Sequence, residues 1–142
     1  MSQPIGDRLP APLRFEFGTP PMAGAPPSAV LLATVDADGS PRVAVLSKEE
    51  VGAPDAATLR LRLHASSASA ANAAARPKAA LWCVLDAAAY TIKGTIRPAG
   101  GAADEDWAWL EFVVEAVWRD FDERAPMIAG PTYRAAEAAD PR

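Results

Sequence analysis

The chain has little with which to do metal or thiol chemistry: one cysteine and one histidine in 142 residues. A single cysteine excludes an intrachain disulfide. Cys83 sits in the apolar run ALWCVL and reads as a small buried hydrophobe, because a reactive thiol needs exposure and a neighbouring base. His64 has no second histidine and no cysteine cluster to join, so no metal site is expected. Basic excess is also missing. Fourteen Lys and Arg stand against 18 Asp and Glu, for a net charge of -4 and a pI near 4.9, which argues against a nucleic-acid partner, since phosphate binding needs a basic face. No apolar run approaches the roughly 18 residues of a membrane span. The N-terminus lacks the basic and apolar regions of a signal peptide, so no membrane partner and a cytoplasmic location are expected. There is no G-x-S-x-G, P-loop or Rossmann glycine pattern. Glu111 and Glu115 fall on one strand face, yet nothing marks them as an acid and base pair, and no catalytic residue is assigned.

Half of the residues are apolar and 23% are charged, enough for one domain with a real core. Prolines crowd residues 1–27, which read as an extended arm wrapping the domain formed by 28–142. Within the arm Leu13, Phe15 and Phe17 alternate, as in a short edge strand. The stretch LLATVDADGSPRVAVLS, Leu31 to Ser47, then reads as a hairpin, with Gly39 supplying the turn. TLRLRLH alternates strictly: Leu59, Leu61 and Leu63 against Thr58, Arg60, Arg62 and His64, as in a half-exposed antiparallel strand. SSASAANAAARP is a short helix with a serine N-cap and a proline stop, too short to stand undocked.

KAALWCVLD is a buried strand, and YTIKGTIRP alternates again, with Gly94 marking a bulge or a close backbone approach. WAWLEFVVEAVWRD contains helix and strand as rival readings, and its aromatic and β-branched content favours strand. As a strand it would carry Leu110, Phe112, Val114, Ala116 and Trp118 on one apolar face. The sum is a mostly β chain of about six strands with short helices, in an antiparallel closed sheet.

These pieces, in this order from Ser28 to Asp120, resemble the pyridoxamine 5'-phosphate oxidase-related family, whose members have the FMN-binding split β-barrel fold. The resemblance implies a homodimer with flavin at the subunit interface, and FMN-mediated electron or hydride transfer to a small molecule not identified by the sequence. It places the second strand beside the flavin, with Arg42, Val43, Val45 and Ser47 as contacts, and the serine-capped helix near the phosphate, with His64, Ser66, Ser67, Ser69 and Asn72. Arg42 matches the arginine opening the family's second-strand motif. Where oxidase members have a lysine five residues later this chain has Ser47, followed by Lys48, and the family's Arg-Lys pair at the helix start falls on Ala68 and Ser69. An FMN phosphate carries nearly two negative charges, which charge-assisted bonds normally neutralise, so the departure weakens the expected phosphate site. The alternative from another class is a non-catalytic split-barrel dimer that binds another ligand or has lost the flavin. His64 and Arg42 each remain open between a site contact and a surface residue. Trp82, Trp107, Trp109 and Trp118 read as core and dimer-interface packing.

Overall fold

In the computed structural model, residues 1–19, 27–99 and 105–134 are described. The strands are β1 (Ser2–Gly6), β2 (Val30–Val35), β3 (Pro41–Leu46), β4 (Val51–Gly52), β5 (Thr58–His64), β6 (Lys78–Leu85), β7 (Ala88–Pro98) and β8 (Trp107–Asp120); the helices are α1 (Ala11–Gly18) and α2 (Ala68–Ala75). They form one antiparallel sheet in the order β3-β2-β6-β7-β8-β5-β4, with β1 added beside β8. The split-barrel expectation holds. The strand count is eight rather than about six, the additions being β1 and the two-residue β4. The sheet curls without closing, since β3 and β4 end the hydrogen-bonded path and do not pair.

Leu32, Leu59, Leu61, Leu81, Ile92, Phe112 and Val117 fill the concave side and are fully buried. The hairpin forms as the sequence predicts: Val30 to Val35 pair with Leu46 to Pro41, and Gly39 takes a positive φ of 88° in the turn. Strict alternation in β5 is also retained, with Leu59, Leu61 and Leu63 buried.

Two readings are corrected. Leu13, Phe15 and Phe17 lie on helix α1, not on an edge strand. Pro10 is the N-cap and Pro12 lies in the first turn, where proline's fixed φ suits a helix start and its missing N–H costs nothing. Leu13 and Phe17, four apart, turn into the core, while Phe15 stays 72% exposed. The second correction concerns β8. Its register against β7 shifts between Lys93 and Gly94, so that Glu115 is an extra residue between Val114 and Ala116. Such a bulge flips the alternation. Phe112 and Val114 face the core before it and Val117 after it, so Ala116 and Trp118 join the outward face instead of the apolar set assigned to them.

Gly94 meets both expectations placed on it. It lies at the bulge, and a Cβ there would run into the carbonyl oxygen of Val113 and come 2.5 Å from Cε1 of Phe112. Helix α2 is capped as predicted, the Ser67 hydroxyl accepting from the Ala70 N–H at 3.1 Å. It docks across the end of the half-barrel by burying Ser69, Asn72 and Ala73. No helix among the described residues is long and apolar enough to cross a membrane.

Candidate cofactor site

The outward face of the sheet is built in rows that follow from the strand registers. One row runs Val45, Leu31, Trp82, Thr91, Trp118 across β3, β2, β6, β7 and β8. The next runs Val43, Ala33, Ala80, Lys93, Ala116. A line of alanines beside a line of tryptophans leaves a hollow. It is a groove of about 550 Å³, floored by Ala33, Ala80, Ala116 and Gly94 and edged by Val35, Pro41, Lys78 and Glu115. That volume lies within the range of small-molecule sites, roughly 300–1,000 Å³. Lys93 stands with Nζ 5.3 Å from the Trp118 ring, and Lys78 is bonded to Glu115 at 2.8 Å. Val43 and Val45 are 62% and 65% exposed, an unusual state for two valines on one strand face unless something covers them.

Side chains alternate along a strand, so Arg42 lies on the opposite face of β3 from Val43 and Val45. It turns toward α2, and there the structure brings Arg42 and Asn72 together through a residue the sequence reading did not select. Asp36, at the end of β2, accepts from Arg42 Nε at 2.7 Å and from Asn72 Nδ2 at 2.7 Å, both on the same oxygen. Asn72 Nδ2 also donates to Thr34 Oγ1 at 3.1 Å, and Asn72 Oδ1 accepts from Arg76 Nη2 at 2.9 Å. Arg76 Nε donates to the Val35 carbonyl at 2.7 Å. The chain of bonds fastens α2 to the hairpin. Its signal was within reach, since the hairpin register sets Arg42 across from Thr34, two residues from Asp36.

The remaining predicted contacts disperse. Ser47 lies at the far end of β3 from Arg42, about 17 Å away at strand rise. Its N–H and hydroxyl both donate to Glu50 Oε1 at 2.9 Å, in a capping box that starts a short 3-10 turn at Lys48–Glu50. Lys48 does not stand in for the absent lysine: its Nζ turns inward to Glu16 of α1 at 3.1 Å, and the side chain is only 11% exposed. His64 stacks on Trp107 with ring centroids 4.2 Å apart. The Arg62 guanidinium covers Trp107 at 4.3 Å and lies 5.9 Å from Trp109, with its Nε buried and unpartnered. Ser66 is exposed near the start of α2, Ser67 is spent on capping and Ser69 is buried. Cys83 is buried beneath α1, and burial, reinforced by the Glu16 carboxylate, pushes its thiol up to about 12, so it is inert as a nucleophile.

These positions decide how well FMN fits. The groove suits a flat ring: small side chains form its floor, and Lys78, Lys93 and Glu115 stand at its rim. The phosphate end does not fit. Arg42 already holds a carboxylate, Lys48 is turned away, and the hydroxyls of Ser47 and Ser67 are engaged within the chain.

The Asp36 carboxyl is held below its ordinary 3.8 first by the hydrogen bond from Arg42, then by that from Asn72. A carboxyl depressed in the folded state stabilises the fold fully above its unfolded value and stops doing so as the pH falls through the folded one. Melting temperature should therefore drop below about pH 4. Glu115, lowered chiefly by its bond from Lys78, adds to that drop, so Asp36→Asn should flatten the acid limb in part. An unaltered limb in the variant would show that the Asp36 bonds contribute nothing to folding.

No curated protein matches the chain. Among solved structures it is similar to an F420 reductase, with 20% identity over 65% of this chain and 90% of that one, at a TM-score of 0.51. A Clostridium acetobutylicum protein related to general stress protein 26 of B. subtilis, of the pyridoxinephosphate oxidase family, matches at 18% identity, 63% and 76% coverage and a TM-score of 0.50. A heme binding protein from Mycobacterium smegmatis matches at 15% identity, 77% and 54% coverage and a TM-score of 0.53. At these identities the likenesses show the fold. The family model for pyridoxamine 5'-phosphate oxidase matches residues 25–136, most of the chain and every strand from β2 to β8, and the chain belongs to that family.

Proposed function

We propose that the chain works as a cytoplasmic homodimer that holds a flat heteroaromatic ligand of the flavin class on the outward sheet face and serves electron transfer through it. The observation that carries this reading is the alanine-floored groove along the row of Ala33, Ala80 and Ala116. It combines an apolar floor with a polar rim at Lys78, Lys93 and Glu115, the usual composition of a small-molecule site. The redox chemistry would belong to the ligand, with the protein supplying binding, orientation and local charge. A second subunit on this face would cover Val43 and Val45 and close the groove from above. The non-catalytic alternative, a binding module without redox activity, draws support from Arg42 and Lys48, whose charges are already compensated inside the chain.

The test is direct. Light scattering should give a mass twice 14.9 kDa. Riboflavin, which carries the ring without the phosphate, should bind saturably and lose its fluorescence. A monomer that leaves riboflavin fluorescence untouched would overturn both parts of the reading. A dimer that binds the ring but passes no electrons to any acceptor would favour the module.

A further inference from the structure

We infer that Lys93 selects the charge state of the ring: it gives the groove an uncompensated positive charge, so that a negatively charged ring binds more tightly than the same ring when neutral. This rests on the ring reading given above and specifies which form of that ligand class the groove prefers. The charged residues lining the groove are Lys78, Lys93 and Glu115. Lys78 Nζ donates to both carboxylate oxygens of Glu115, at 2.8 and 2.9 Å, and Thr95 Oγ1 donates to Glu115 Oε1 at 2.9 Å. The charges of Lys78 and Glu115 therefore cancel against each other. Lys93 has no such match among the described residues. Its ammonium lies 5.3 Å from the Trp118 ring, and that attraction is weak at an exposed site and leaves the charge in place.

The position of Lys93 makes its charge felt. On β7 it is paired with Ala80 of β6 and Ala116 of β8, and both alanines belong to the groove floor. A ring resting on those alanines lies beside the Lys93 side chain. Water screens an ammonium strongly, but a ring filling the groove displaces water, and the same charge then acts through a lower effective dielectric. A neutral ring gains little from it. An anionic ring gains the full attraction, with no carboxylate on Lys93 to displace. A charge held beside a ring is one of the means by which a protein tunes the electronics of a bound cofactor.

Riboflavin provides both charge states in one probe. Its oxidised ring is neutral. Two electrons from dithionite and one proton from water leave the reduced ring with a single negative charge in mildly alkaline buffer. The readout is the midpoint potential of bound riboflavin, followed by absorbance against a reference dye. Tighter binding of the reduced form by about tenfold, the scale of one charge-assisted hydrogen bond, raises the potential of a two-electron couple by about 30 mV. Wild type should show that rise over free riboflavin. Lys93→Met, which keeps an unbranched apolar stem and removes the charge, should lose it while binding oxidised riboflavin within about twofold of wild type. Lys93→Arg should retain it. A bound potential in wild type equal to or below that of free riboflavin would overturn the inference without needing a variant. A rise that survives in Lys93→Met would overturn it as well. If riboflavin binds wild type in neither form, the ring reading itself falls and takes this inference with it.

Discussion

Gly94→Ala is expected to destabilise the fold by about 3 kcal/mol and to lower the melting temperature by about 10 °C. The added methyl has nowhere to go. Its nearest neighbours are a backbone carbonyl, Val113, and the ring of Phe112, which is fully buried. Neither can move without separating β7 from β8, the two longest strands, which pair from Ala89 opposite Asp120 to Pro98 opposite Leu110. The cost is steric, not conformational, because Gly94 is absent from the positive-φ positions. Circular dichroism melts of the two proteins measure it. A variant melting within about 2 °C of wild type would mean that the sheet yields at the bulge and that the close approach is not what requires glycine there.

Asn72→Leu should cost about 2–3 kcal/mol through the lost bonds of Asn72 and the buried Thr34 hydroxyl left without its donor. The amide sits at the centre of the bonds joining β2 to α2, and leucine can replace its bulk but none of its bonds. The damage should be local before it is global. Helix α2 has eight residues, mostly alanine, far below the length at which an isolated helix persists in water, so it depends on being fastened. Hydrogen exchange at α2 amides should accelerate more than exchange in β5 or β7. Uniform acceleration across the chain would instead assign Asn72 a role in global packing, and no change in stability would contradict the network.

The hairpin, strand β5 and capped α2 were legible because each carries its signal locally: period-two alternation, a glycine turn, a serine before a run of alanine. Gly94 was legible for the same reason, as an interruption in a clear pattern. The face switch in β8 was not. One extra residue at Glu115 is invisible in composition and exists only in the register against β7. Helix α1 was misread because three alternating apolar residues fit a strand, and the four-residue spacing of Leu13 and Phe17 fits a helix equally well; the prolines that decide it look like breakers until placed at a helix start.

The site divides in the same way. Arg42 and Asn72 were selected by resemblance and do meet, but the residue that joins them, Asp36, belongs to a turn signal and carries no motif. The charge balance of Arg42 and Lys48 depends on partners 6 and 32 residues away, which no spacing rule encodes. The groove is least legible of all. Ala33, Ala80 and Ala116 matter for what they lack, and only the alignment of four strands shows that they share a row.

The measurement that bears most directly on that groove is a riboflavin titration of wild type beside Ala33→Trp. The new side chain would fill the floor from the solvent face of β2, where Ala33 is half-exposed, and leave the core side untouched. Wild type should quench riboflavin fluorescence to saturation, and Ala33→Trp, with its melting temperature preserved, should not. Equal quenching by both proteins would place the ring elsewhere, and no quenching by either would contradict a flavin-class ligand on this face.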